Sequence, residues 1–481
     1  MFEGLSLLKE LDEDDVAWII ETGQERRVPA QTAITEEGVR PESLYLVLRG
    51  LLQVAVASGG ARPLAVLGPG ELIGEVSLLE DRPASATVKA VESSVLLAIP
   101  REALGAKLVT EPRFAARWYR AFALILAQRL RQRVLDLTQQ LNRAEPPEDR
   151  YAAVWQPLQE ALSELESSLA EAEAEALKKG HVAPAAADQI EQQFDRFAVL
   201  MNDRLGQRSG LDEHVREELG GRIRQQFLPY LLLTSSAEWM YRKPRGYAGD
   251  FRCIEKIYRN HGQGKGRLGP VIDRCFLNLP GAKAVRNRRG LLADEIRRTC
   301  QAAGNALVRF TSLASGPAEE VFDILAEPVL AARLQATLID IDKKALAYVR
   351  NRARRCGVLD RLRLEQANLI YLAVGRHRLE LPPQDLVYSV GLIDYFNDPF
   401  VLKLIDYVYA LLRPGGRLIL GNFHPVHTSR AIMEHVLEWK LIHRTEDDMH
   451  RLFAASKFGR PCTKIGFEAE KVNLFAECVK G

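Results

Sequence analysis

The sequence has no C-x-x-C pair: its six cysteines, at 253, 275, 300, 356, 462 and 478, are scattered through the second half. That spacing argues against a metal centre or a disulfide framework and fits reduced thiols in a cytoplasmic protein. A run of eighteen apolar residues is missing, so no segment is expected to span a membrane. Also missing is a basic, then apolar leader, because the start runs into Lys9, Glu10, Asp12, Glu13, Asp14 and Asp15. Charge of one sign is absent too: 65 Lys and Arg stand against 63 Asp and Glu, which gives no support for a chain that coats nucleic acid. What is present is length. At 481 residues the chain is too long for one ordinary core, so two or three domains are expected.

Between 30 and 99, short β-prone runs alternate with Gly and Pro turns, including Ser58-Gly59-Gly60. This pattern predicts an antiparallel β-roll over 1–110. Gly50 follows the strand 45–49, and Pro69-Gly70-Glu71-Leu72-Ile73-Gly74-Glu75 precedes Pro83-Ala84-Ser85-Ala86-Thr87. Together these residues resemble a cyclic-nucleotide-binding domain. The resemblance implies a phosphate-binding cassette in which Glu75 meets the ribose hydroxyl. The family's arginine before the small-small-Thr run is Ala84 here, which leaves Arg82 as the nearest cation for a cyclic phosphate. A roll kept for docking, dimerisation or another small effector is the alternative.

Trp118, Phe122, Leu126, Leu130, Val134, Leu137 and Leu141 recur at spacings of four and three, which predicts a long amphipathic helix. It serves either as a homodimer seam or as packing onto its own chain. Pro146-Pro147 breaks it, and helices are expected over 154–179, 185–205 and 212–233. The region 111–240 is therefore a helical linker, dimerisation element or cap. It contains no convincing helix-turn-helix, so DNA is not an expected partner.

In the domain assigned to 241–481, the loop Tyr241-Arg242-Lys243-Pro244-Arg245-Gly246-Tyr247-Ala248-Gly249-Asp250 is too rich in Gly, Pro and aromatics for a helix interior. Its aromatics suit stacking on adenine. Strand 308–313, the turn Ala314-Ser315-Gly316-Pro317, a helix, and strand 336–340 ending on Asp340 follow. Strand, small-residue turn, helix and a second strand with a terminal acid form a cradle for a nucleoside-containing cofactor. The alternation continues through strands 362–368 and 385–395, a helix over 400–412, the turn Arg413-Pro414-Gly415-Gly416-Arg417 and strand 418–423. Such alternation predicts a Rossmann-like α/β sheet, closed by β-prone segments within 464–479.

With Asp340 and the Pro-Gly-Gly block, this order resembles the class I S-adenosylmethionine-dependent methyltransferases. The resemblance implies S-adenosyl-L-methionine as cofactor, held by Tyr247, Arg286, Ser315, Gly316, Asp340, Asn368 and Gly391. A closer resemblance rests on the roll, the Lys-Pro-Arg-Gly-Tyr-Ala-Gly-Asp loop, Tyr388-Ser389-Val390-Gly391-Leu392-Ile393-Asp394-Tyr395 and the tract 422–445. These match bacterial 3-hydroxy fatty acid methyl ester synthases, which make quorum-sensing signals. It implies O-methylation of a carboxylic acid such as a 3-hydroxy fatty acid. His424, Asn422 and Arg444 are the candidate catalytic and acceptor residues, His427 is a second candidate base, and an apolar helix over 429–443 is expected to form the acceptor pocket. A sensor that binds the cofactor without catalysis is the rival reading.

Overall fold

The computed structural model describes residues 11–55, 65–80, 82–123 and 151–481. The amino-terminal part is two facing four-stranded sheets. One pairs β1 (Gln24–Val28), β8 (Ser94–Pro100), β3 (Ser43–Arg49) and β6 (Leu72–Ile73); the other pairs β2 (Ala33–Thr35), β7 (Thr87–Ala90), β4 (Leu52–Ala55) and β5 (Ala65–Leu67). All pairings are antiparallel, as a roll requires. Leu44, Leu46, Leu97 and Ile99 alternate along their strands into one core, where Phe114, Trp118 and Phe122 join them from a helix covering 112–123. The three aromatic rings follow one another with centroids 5.3 Å apart, the first pair stacked and the second tilted. The described part of the expected seam thus packs on its own roll. Leu126 to Leu141 and the Ser58–Gly60 turn lie outside the described residues.

Three helices follow, Ala152–Lys179, Pro184–Leu205 and Glu213–Leu231. Leu158, Leu162, Leu165 and Leu169 of the first, spaced by four and three, face Ile190, Phe194, Phe197 and Met201 of the second. The same core includes Ile432, Met433, Val436 and Trp439, so this layer packs directly on the carboxy-terminal domain. No helix among the described residues is long and apolar enough to cross a membrane.

The carboxy-terminal sheet has seven strands: β9 (Val308–Leu313), β10 (Leu334–Asp340), β11 (Leu362–Gln366), β12 (Gln384–Val390), β13 (Leu412–Phe423), β14 (Lys464–Phe467) and β15 (Asn473–Val479). Their order is β11-β10-β9-β12-β13-β15-β14. The five strands from β9 to β13 are mutually parallel, and β15 runs antiparallel to both neighbours. Near-continuous apolar strands such as Val387 and Leu386 are buried on both faces, as a covered parallel sheet requires. The order reverses between β9 and β12, which opens a crevice beyond their carboxyl ends.

Two expectations are corrected. The helix over 429–443 is a single π-helical turn, Ile432–Val436, after which Glu438 takes φ +51° and the Trp439 N–H bonds back to the Met433 carbonyl at 2.7 Å. That reversal delivers Trp439 to the crevice instead of continuing an apolar stripe. The strand expected to end at Asn368 ends at Gln366, and Asn368 caps the next helix by accepting from the Ile370 N–H at 2.9 Å.

Candidate functional site

A pocket of about 440 Å³ occupies that crevice. This volume suits burial of one molecule of cofactor size. Tyr247, Ser315, Gly316, Asp340, Asn368 and Gly391, six of the seven expected cofactor residues, line it together. The turn after β9 is strained: Ala314 and Ala318 hold φ +54° and +51°, conformations that cost an alanine of order 1–3 kcal/mol. Gly316 sits between them at φ +54° with open space where a Cβ would be. The backbone there is bare and can be approached closely. The Ser315 hydroxyl beside it is buried with no partner among the described residues.

Asp340 ends β10 and accepts from the Gly316 and Asp342 backbone N–H groups, each at 2.8 Å. Burial nevertheless pushes its carboxyl up to about 6, with Asp342 adding repulsion and Arg245 opposing it. The loop ahead of the sheet closes over this corner. Arg245 pairs with Asp342 at 2.5 Å, and Tyr395 donates to the Ala248 carbonyl at 2.9 Å. The Trp439 indole in turn donates to Tyr395. Gly249 holds φ +74°, and a Cβ there would stand 3.0 Å from the Trp439 ring and the Tyr395 hydroxyl, so glycine favours this closure. Burial raises the Tyr247 phenol well above its ordinary value, with Asp340 and Asp342 adding to the effect.

Arg286 is not part of the pocket. Its guanidinium donates to the Leu277 carbonyl at 2.6 Å, and burial lowers its pKa. Arg288, two positions on, lines the pocket at 8% exposure and is hydrogen-bonded to the Tyr258 hydroxyl. Glu320 and Tyr388 complete a buried polar cluster, Tyr388 donating to Glu320 at 2.9 Å. Desolvation raises the pKa of Glu320. The basic run 284–289 reads from sequence as facing either the cofactor carboxylate or water, and that reading takes Arg286 from it, although Arg288 lies on the stripe Val285, Leu292, Ile296 of the Pro280–Ala302 helix. A charge on an apolar stripe was the available signal.

The expected catalytic trio also lies outside the pocket. Arg444 is fully engaged, with Asp398, the Ile393 and Phe396 carbonyls and Asn422 as acceptors at 2.6–3.1 Å. Asn422 donates to the Phe423 and Ile442 carbonyls. His424 has both ring nitrogens occupied, by Glu446 at 3.2 Å and the Val426 N–H at 3.3 Å. These residues hold the end of β13 in place. His427 is likewise spent on Ser429 and His443, and burial lowers its pKa to about 3. Asp394 does line the pocket; burial raises its carboxyl to about 6 while the Phe423 N–H donates to it at 2.6 Å. The Pro414-Gly415-Gly416 block, opposite Gln384 at the other end of β12, starts β13 and touches no part of the site. Among the described residues there is no cluster suited to a metal ion.

In the roll, Glu75 is buried and Arg82 exposed. Ala84 exchanges backbone hydrogen bonds with Gly38 and Val39 at 2.8 and 2.9 Å.

Two family models match the chain. Residues 25–111 match the cyclic nucleotide-binding domain, and 246–468 match a family described as "Putative methyltransferase". A cyclic AMP receptor protein of Thermus thermophilus is 36% identical over 28% of this chain, which spans 62% of that relative's length. Among solved structures, a possible exported protein from Bordetella parapertussis is 19% identical over 62% of this chain and 99% of its own, with a TM-score of 0.39. A magnesium protoporphyrin IX methyltransferase from Synechocystis, solved with bound SAM, is 14% identical over 47% of this chain and 91% of its own, with a TM-score of 0.33.

Proposed function

We propose that this chain, a cyclic nucleotide-binding domain joined to a methyltransferase domain, methylates a carboxylic acid with S-adenosylmethionine. The observation that carries the reading is the corner made by Asp340, the bare Gly316 turn and the unpartnered Ser315 hydroxyl, all facing one pocket. Asp340 accepts from ribose hydroxyls, Tyr247 covers the base, and Ser315 and Gly316 admit the chain that joins ribose to sulfur. When bound, the cofactor supplies a methyl group on a positively charged sulfur.

The protein's own contribution is placement and exclusion of water. A carboxylate is already deprotonated at neutral pH, so no base is required. Arg288 is the buried cation available to hold it. Phe251, Ile254, Phe423, Trp439 and Leu441 give an apolar wall that removes water from the nucleophile and accommodates an acyl chain. A 3-hydroxy fatty acid combines both features. The acceptor oxygen forms the new bond to the methyl carbon as the carbon–sulfur bond breaks, leaving a methyl ester and neutral S-adenosylhomocysteine. In-line placement supplies most of the acceleration. A second reading rests on Asp394: a carboxyl raised to about 6 in the pocket suits a general base for a hydroxyl acceptor.

Labelled cofactor with a panel of straight-chain acids, 3-hydroxy acids and matching alcohols tests the proposal. Label recovered in base-labile esters supports it; label in ethers favours the Asp394 reading. Tight cofactor binding with no transfer to any member or to a bacterial lysate would favour the non-catalytic sensor.

A further inference from the structure

The pocket is not built by the carboxy-terminal domain alone. Arg49, Gly50, Pro69, Gly70, Glu92 and Ser93 of the roll are part of its lining. Glu92 meets Lys344 and Pro69 meets Gly246, the neighbour of Arg245, which puts the roll beside the corner assigned above to the ribose.

The Arg376 guanidinium donates to the Gly23 carbonyl of the roll at 2.7 Å, and two further contacts involve residues of the pocket lining. The first is a close backbone approach, Gly68 and Pro69 against Gly246. A Cβ on Gly246 would stand 2.9 Å from the Gly68 Cα and collide with the Pro69 ring, and a Cβ on Gly68 would collide with the Gly246 backbone. No other residue type fits at either position without separating the two domains. The second is an ion pair between Glu92 of the roll and Lys344, which stands four residues beyond Asp340, at 3.0 Å. On the roll's own side the 68–71 turn is fixed to β3, since the Val47 N–H donates to the Glu71 carbonyl and the Gly70 N–H to the Val47 carbonyl, at 2.9 and 2.6 Å. The Glu71 carboxylate also accepts from the Gly68 N–H.

We propose that the roll completes the nucleoside end of the cofactor site: docked through Gly68 and Glu92, it places Arg49 and Ser93 against the cofactor's adenosine. This rests on the cofactor reading given above. It assigns cofactor-positioning groups to the domain otherwise matched only to cyclic nucleotides.

The test uses the full-length chain and two probes, S-adenosylhomocysteine and 5′-methylthioadenosine, which share the nucleoside but differ in the amino-acid end. Gly68→Val leaves every carboxy-terminal residue intact and should weaken both probes by the same factor, about tenfold, with faster dissociation of each. Glu92→Lys should weaken both by roughly twofold to fivefold, as for a partly exposed pair, and adding Lys344→Glu should restore them. The charge swap keeps the test valid if Gly68→Val misfolds. Loss confined to S-adenosylhomocysteine would put the roll at the wrong end of the cofactor and overturn the proposal. Unchanged binding of both probes in the folded variants would overturn it as well. A wild-type protein that binds neither probe would overturn the cofactor reading itself.

Discussion

Two regions of this molecule carry the marks of a site for a ribose and a charge, and they differ in which of those groups remain. The carboxy-terminal pocket has an acid in place, Asp340, hydrogen-bonded to the turn it faces, and a buried cation, Arg288. The roll keeps its acid, Glu75, but has Ala84 where the resemblance calls for arginine, and its nearest cation is exposed. An apolar core of alternating leucines is enough to maintain a roll. A charged ligand additionally requires a partner of opposite sign, because burying an unpaired phosphate is costly. Fold and site are therefore separable, and the roll's most concrete connection to chemistry is the wall it presents to the neighbouring pocket.

The largest expected effect separates support from chemistry in the carboxy-terminal half. Arg444→Met should destabilise the protein by about 3 kcal/mol or more, because the Ile393 and Phe396 carbonyls and the Asn422 amide oxygen each lose a donor at about 1–3 kcal/mol, read by denaturant unfolding. Were Arg444 an acceptor residue instead, stability would hold and only turnover would fall. Next, Asp340→Ala removes the acceptor proposed for the ribose hydroxyls and should weaken S-adenosylhomocysteine by about 1–3 kcal/mol, measured by calorimetry.

The third prediction is a pH dependence. Asp340 has its carboxyl raised to about 6 in the free protein, and under the proposed function ribose hydroxyls donate to its charged form. Affinity should therefore be full above pH 6 and fall by about tenfold per unit as pH drops below it. Arg245, Asp342 and Tyr247 surround the same carboxylate, and Asp394 is also raised to about 6, so Asp340→Asn is the control. It should flatten the profile; a profile that keeps its slope would assign the effect to another group. Fourth, Ala84→Arg in the roll should strengthen cyclic AMP binding by roughly the 1.5–3 kcal/mol of a charge-assisted hydrogen bond. If the wild-type roll already binds as tightly as the variant, the contrast between the two regions collapses. The smallest effect belongs to His424→Ala, which should leave cofactor affinity unchanged.

Much of this was legible in local patterns. The β9 turn, Asp340 at the end of β10 and Gly391 after β12 belong to one strand–loop unit each, and alternation of strand and helix is enough to bring their ends together. Arg288 was not legible in that way, because Arg286 was the equally basic neighbour. Two helical steps turn a side chain by roughly 200°, so one arginine faces the pocket while the other caps Leu277. The tract 422–445 misled for the opposite reason. Its histidines, asparagine and arginine have catalytic chemistry, but their hydrogen bonds are consumed by neighbouring carbonyls and carboxylates, which sequence does not display. The contact between Gly68 and Gly246 joins positions far apart in the chain and had no local signal at all.

The central claim is that the pocket at the reversal of the sheet binds the methyl donor through Asp340. Calorimetric titration of S-adenosylhomocysteine into the wild-type chain and Asp340→Ala at pH 7.5 measures it directly. One saturable site per chain in the wild type, with affinity sharply reduced in the variant, is the predicted result; no binding to either, or equal binding to both, would contradict it.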